Sequence, residues 1–234
     1  MKIILHLVCL CFAVICPGAT LTFNTFDAPG DGQGWWTLTE PSSPDNYIFV
    51  TGYGIDGNAP FPYPIIESRA HLSFSISGIS APIQSAVLRL SQLASYSNGN
   101  QFSGIVTLGL FDVSTDAAIL NSVGGIQPDI FNDLGSGISY GASVIPISFD
   151  SSRVLEIPLN QAAIAAIQNG AVFSVGMAML DGDGTKSHYL FGATGSLPTP
   201  FVHELRIQTV PEPNCVILLG VALIFRRWRQ RVVS

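Results

Sequence analysis

From residue 20 to residue 207 the apolar positions come in short runs, many of them alternating with polar ones, and the runs are separated by clusters of Gly, Ser, Asn, Asp and Pro. In 70–76, Leu72, Phe74 and Ile76 alternate with smaller polar neighbours, the signature of a half-buried strand whose apolar side chains share one face. The same reading predicts strands at 83–90, 105–111, 144–149, 154–159, 171–180, 188–192 and 201–207. In 171–180, Phe173, Val175, Met177 and Met179 point one way and Val172, Gly176 and Ala178 the other, so both faces are to be covered, as in a central strand. Only 160–168 reads as helix, with Asn160 as N-cap and Ile164 and Ile167 on one face. Prolines at 41, 44, 60, 62 and 64 mark 40–64 as loop, broken by a short strand at 47–50. The expected class is all-β: a two-sheet antiparallel sandwich, jelly-roll-like, rather than a barrel.

The two ends depart from this pattern. Lys2 is followed by an apolar stretch over 3–15, then by Cys16, Pro17, Gly18 and Ala19, the order of a secretory signal peptide cleaved near Gly18 or Ala19. The stretch is shorter than the roughly 20 residues that a membrane span needs. Lipoprotein processing at Cys16 is the lesser alternative, since Ile15 stands where a small residue is usual. At the other end Val210, Pro211, Glu212 and Pro213 precede an apolar run over 215–225 and the cluster Arg226, Arg227, Arg229 and Arg231. The prolines hold their segment extended and free of helix hydrogen bonds. The apolar run partitions into lipid, and the arginines resist translocation. As a helix the run measures only about 17 Å against a hydrocarbon core of roughly 30 Å, which suits a temporary tether better than a lasting anchor.

This three-part tail resembles the PEP-CTERM sorting signal. The resemblance implies export, processing by an exosortase-like membrane enzyme, and passage through the secretion machinery with a transient hold in the inner membrane. Segments 83–90, 111–115 and 133–141 are similar to pieces of sandwich domains found upstream of such tails, over about 65–207, and carry no known activity with them. The expected organisation is a signal peptide at 1–19, a sandwich domain at 20–209 and a sorting signal at 210–234, with the product at the cell surface or outside the cell.

Charge sharpens this picture. Between the two end segments the body keeps five basic residues, Arg69, Arg89, Arg153, Lys186 and Arg206, against fifteen acids, a net charge of −10. Such a surface repels phosphate backbones, so nucleic acid is not an expected partner. All four cysteines fall in the end segments, which removes disulfides, thiol catalysis and thiolate metal sites from the body.

Candidate chemistry is sparse. His71, His188 and His203 have no zinc-ligand spacing and read as surface or hydrogen-bonded strand residues, with His203 and Glu204 on opposite faces. There is neither a Gly-x-Ser-x-Gly elbow nor a phosphate-binding glycine loop ahead of a helix. The carboxylate pairs Asp129/Asp133 and Asp181/Asp183 could serve a glycan hydrolase, but both lie in polar turns. Asp181 and Asp183, alternating with glycines, offer oxygen ligands to calcium; the alternative is an Asp-Gly hairpin turn between Leu180 and His188. No other cofactor is expected. Trp35 and Trp36 sit in the aromatic-rich part of the chain, either as a stacking platform for exopolysaccharide or as core under a long loop. The expected function is that of a non-catalytic surface or matrix protein. A carbohydrate-binding module and a secreted hydrolase are the alternatives.

Overall fold

The computed structural model describes residues 18–25, 32–38, 51–55, 65–91, 95–97, 105–121, 127–146, 154–181, 188–190 and 202–210. The described elements are strands β1 (Thr20–Asn24), β2 (Gln33–Thr37), β3 (Thr51–Ile55), β4 (Ile65–Ser75), β5 (Ile83–Leu90), β6 (Ser95–Ser97) and β7 (Ile105–Asp112). Helices α1 (Ala117–Leu120) and α2 (Pro128–Asp133) follow, then β8 (Ser139–Pro146), β9 (Leu155–Pro158), α3 (Gln161–Asn169), β10 (Val172–Met179), β11 (His188–Leu190) and β12 (Glu204–Thr209). They form two antiparallel sheets, the smaller in the order β1-β12-β5-β9 and the larger built on β6-β11-β3-β4-β10-β7-β8, with β2 also on β4. The chain is therefore all-β, as expected.

The larger sheet forks on β4. Ala70 lies opposite Trp35 of β2 and Met177 of β10, whereas Ser68 lies opposite Thr37 of β2 and Gly52 of β3. Thus β2 occupies one edge of β4, while β10 and β3 succeed one another along the other. The Thr51 hydroxyl bridges the junction, donating to the carbonyls of Met177 at 3.1 Å and Ser68 at 3.4 Å. Serving three partners explains why β4 runs to eleven residues and starts well before the alternating segment at 70–76.

The two sheets face each other across one core. Ala70, Leu72 and Phe74 of β4 and Val175 and Met177 of β10 meet Leu88 of β5, Ile157 of β9 and Leu205 and Ile207 of β12. Burying each of the larger side chains stabilises the fold by about 1.5–3 kcal/mol. Along β5 every second residue, Ala86, Leu88 and Leu90, is buried, the pattern expected from sequence. Helix α3 also forms as expected: Asn160 Oδ1 accepts from the N–H groups of Ala162 and Ala163 at 3.0 and 3.1 Å, and Ala163 and Ile167 are buried.

The opposite face of the larger sheet is covered as well. Trp36, Leu120, Ile130 and Leu134 form a second buried cluster beneath α1 and α2. Arg69 ties α2 down: its Nη1 donates to the carbonyls of Phe131 at 3.1 Å and Asn132 at 3.4 Å, its Nε bonds Glu67 at 2.8 Å, and its guanidinium lies 4.2 Å from the Phe131 ring centre. Residues 175–179 are consequently buried on both sides, and β10 is the central strand that the sequence led one to expect.

Other expectations need correction. Strand β11 pairs with β3 and β6, not with β10, so no hairpin joins Leu180 to His188. The last strand begins at Glu204 and extends to Thr209, and β8 begins at Ser139, five residues ahead of its expected start. β3 interrupts the expected loop at 40–64, while the strand expected at 47–50 lies outside the described residues. The expected signal peptide through residue 17 and the tail from residue 211 also lie outside them.

Candidate functional site

The residue directly after β12, Val210, is the first of the expected sorting motif. β12 lies between β1 and β5, and its final rung joins the two ends of the described chain. The Thr209 N–H donates to the Ala19 carbonyl at 3.0 Å and its hydroxyl to the same oxygen at 3.3 Å. The next N–H, that of Val210, donates to the Pro82 carbonyl at 2.8 Å, while the Val210 residue is 42% exposed. Sheet hydrogen bonding therefore reaches to the residue immediately before Pro211. Pro211, Glu212 and Pro213, and Arg226, Arg227, Arg229 and Arg231, lie outside the described residues. Among the described residues no helix is long and apolar enough to cross a membrane.

The tryptophans part company. β2 presents them to opposite faces: Trp35 is half-buried opposite Ala70, and Trp36, opposite Arg69, has no accessible surface and belongs to the cluster under α1 and α2. Trp36 presents no ring face to a sugar, which corrects the stacking-platform reading for that residue. Both indole N–H groups are buried without an acceptor.

His71 lies on the same face as Trp36, flanked across the strands by Gly34 and Gly176. It is fully buried, and neither ring nitrogen has a hydrogen-bond partner, contrary to the expectation of a surface or hydrogen-bonded histidine. Burial pushes its pKa down to about 3, so the ring is neutral. His203 sits just before β12, its Nδ1 accepting from the Ser91 N–H at 3.3 Å, and burial likewise lowers its pKa to about 3. One imidazole is thus sealed among apolar and glycine neighbours, and the other accepts a backbone amide.

Two of the candidate acids hold backbone amides. Asp133 accepts from the Ser114 and Thr115 amides at 3.0 and 2.8 Å and from their hydroxyls at 2.9 and 2.6 Å. Burial pulls this carboxyl up, but the hydrogen bonds from Thr115 and Ser114 outweigh it and hold it below the usual range. Asp129 is exposed in the first turn of α2. Asp181 takes the Thr107 N–H on its two oxygens at 2.9 and 2.8 Å and so caps the end of β7's pairing with β10; Asp183 lies outside the described residues. No group of three or more His, Cys, Asp or Glu able to hold a metal ion occurs among the described residues. Sequence reading did not single out the Asp133 clip, although Ser114 and Thr115 lie in a segment it had noted.

On the outer face of the smaller sheet, Arg89 reaches Glu204 at 3.3 Å and Glu156 at 3.5 Å, and Arg206 reaches Glu204 at 2.8 Å and Glu156 at 3.7 Å. These partly exposed pairs contribute about 0–1 kcal/mol each. A cavity of about 350 Å³ lies on the outer flank of the larger sheet, between Thr115, Asp116 and Ala118 on one side and Val172 and Ser174 on the other. The Asp116 carboxylate is turned to the Ala118 N–H of α1, and the Ser174 hydroxyl pairs with that of Ser73 at 2.9 Å. The two hydroxyl-bearing walls of this cavity are thus held by the protein's own bonds. No family model matches this chain, and no curated protein matches it.

Proposed function

We propose that the chain is an exported, non-catalytic surface or matrix protein whose sandwich is followed by a sorting tail that an exosortase-like enzyme processes. The observation that carries this reading is the junction at Val210. Its N–H, held by Pro82, is the last one bonded among the described residues, and in sequence the Pro-Glu-Pro segment follows at once. A processing enzyme needs an extended backbone outside the sheet, and two prolines supply one without further unfolding. The apolar run and arginine cluster beyond it then act as tether and stop. The backbone hydrogen bonds of Asp133 and Asp181 and the burial of His71 and His203 support the non-catalytic reading.

The strand order supports the jelly-roll reading of this sandwich. With β2, β3, β6 and β11 set aside, eight strands remain. In chain order the smaller sheet reads first-eighth-third-sixth and the larger reads second-seventh-fourth-fifth. That is the order of two interlocked Greek keys. Lectin domains share this architecture, which keeps exopolysaccharide binding as the second reading, with half-buried Trp35 as the aromatic to test; the likeness is one of fold alone.

The deciding experiment compares cell fractions from producing cells with and without the sorting enzyme, with the mature C-terminus read by mass spectrometry. Loss of the arginine cluster only when the enzyme is present is the expected result. An intact tail in both strains overturns the reading. Retention on a polysaccharide column that Trp35→Ala abolishes would promote the glycan-binding alternative.

A further inference from the structure

The hydrogen bonds that close the smaller sheet bring both tethering segments to one pole of the sandwich. Ala19, the last residue of the expected signal peptide, shares a rung with Thr209, one residue before the sorting motif. The turn between β4 and β5 lies at the same pole, since Pro82 accepts the Val210 N–H. The C-terminus of α3 joins it there: the Ala171 carbonyl accepts the Ile76 N–H at 2.9 Å, and Gln168 Oε1 accepts the Ile83 N–H at 3.0 Å.

This pole is built from 18–20, 75–83, 168–172 and 208–210, and none of these residues is charged. In a body with fifteen acids, that is a distinct region of the surface. Val172 and Val210 expose 43% and 42% of their surfaces here, and Ser77, Gly78, Ser80 and Pro82 are exposed around them. Asp116, an exposed carboxylate that accepts the Ala118 N–H, borders the pole on its outer flank near Val172. Carboxylates Asp181 and Glu204 follow or begin strands at the opposite pole.

We propose that this uncharged pole is a membrane-facing surface, seated on the phospholipid headgroup layer for as long as the tail remains uncut. The proposal rests on the export and tail reading above, and extends it by assigning the face and its lipid partner. Chain length supports it. Fully extended, the residues from Ala19 back to Ile15 span at most about 14 Å, and those from Thr209 to Cys215 about 21 Å. Until the signal peptide is cleaved both apolar segments hold this same pole to the bilayer, and afterwards the tail alone does. Charge supports it too: an anionic leaflet repels an acidic body within a Debye length, and the pole without carboxylates approaches at least cost. With the signal peptide already removed, cutting the tail removes the remaining tether and leaves a neutral, weakly apolar face with little affinity of its own, so release follows processing.

The test uses the full chain with Cys9, Cys11, Cys16 and Cys215 changed to Ser and one fluorophore attached at Ser80→Cys, Asn169→Cys or, at the other pole, Val154→Cys. All three positions are exposed. Each protein is reconstituted with vesicles of phosphatidylethanolamine and phosphatidylglycerol carrying a headgroup quencher. The chain floats with the vesicles, and the labels at 80 and 169 are quenched roughly two-fold or more relative to the label at 154, as placement of one pole in the interfacial layer requires. Flotation with equal quenching at all three positions overturns the membrane-facing pole while leaving the tail reading intact. Failure of the chain to float overturns both.

Discussion

Gly176 lies opposite His71 on one side and opposite Phe111 on the other, and the turn after α2 descends directly onto it. A Cβ at this position would stand 2.4 Å from the Leu134 carbonyl oxygen and 2.7 Å from its Cα, and backbone cannot swing aside as a side chain can. Gly176→Ala is expected to cost about 3 kcal/mol, the upper range for overpacking, read as a lower urea midpoint at unchanged slope. The histidine beside it sets a pH dependence. His71 and His203 have folded pKa values near 3, below the unfolded value of about 6.5. Between these limits the unfolded chain binds more protons than the folded one, so stability is fully present above about pH 6.5 and falls as the pH drops toward 3. From pH 6 to pH 5 each histidine removes about 1 kcal/mol. Thermal melts across this range report the slope, and His71→Leu is expected to remove about half of it.

Among the elements, α1 and α2 owe their position to long-range bonds. Asp133 fastens the end of α2 to the connection between β7 and α1, so Asp133→Ala frees two amides and two hydroxyls at once. The expected loss is about 1–3 kcal/mol, with faster amide exchange through 114–121 and none in α3. These two helices also mark where sequence legibility ended and why. The α3 start was legible because Asn160 caps through bonds two and three residues away, and β5 because its alternation faces a single core. The signals for α1 and α2 were present in Asp116 as N-cap and Pro128 at a first helical position, but in helices of four and six residues no apolar period can develop. β2, reading Gln-Gly-Trp-Trp-Thr, lacks clean alternation because both faces of its sheet are covered. The hairpin expected at Leu180 failed for a third reason: Asp-Gly signals a turn, but the partner of the returning strand is decided by β3 and β6.

At the scale of the molecule, the described sheet ends at Val210, where the proposed tail begins. Removing 211–234 is expected to leave the melting temperature within about 2 °C, because every sheet-closing bond among the described residues is kept, the last of them that of Val210. Removing 204–234 deletes the strand between β1 and β5 and is expected to abolish the cooperative transition, since Leu205 and Ile207 are fully buried in the core. Circular dichroism melts of the two truncations check this. The proposed sorting motif is read from sequence alone because its pattern is local and linear; the pole is not, because it is assembled from four segments that meet only when the sheets close.

The Ala19–Thr209 rung spans 190 positions of chain, so the smaller sheet cannot be completed until nearly all of the polypeptide is present. Contacts of such high sequence separation are entropically late and slow to form. A chain threaded across a membrane N-terminus first would thus stay pliable during the passage. It would lock only when its final strand emerged, making the last seven residues of the domain a folding trigger as well as a structural keystone.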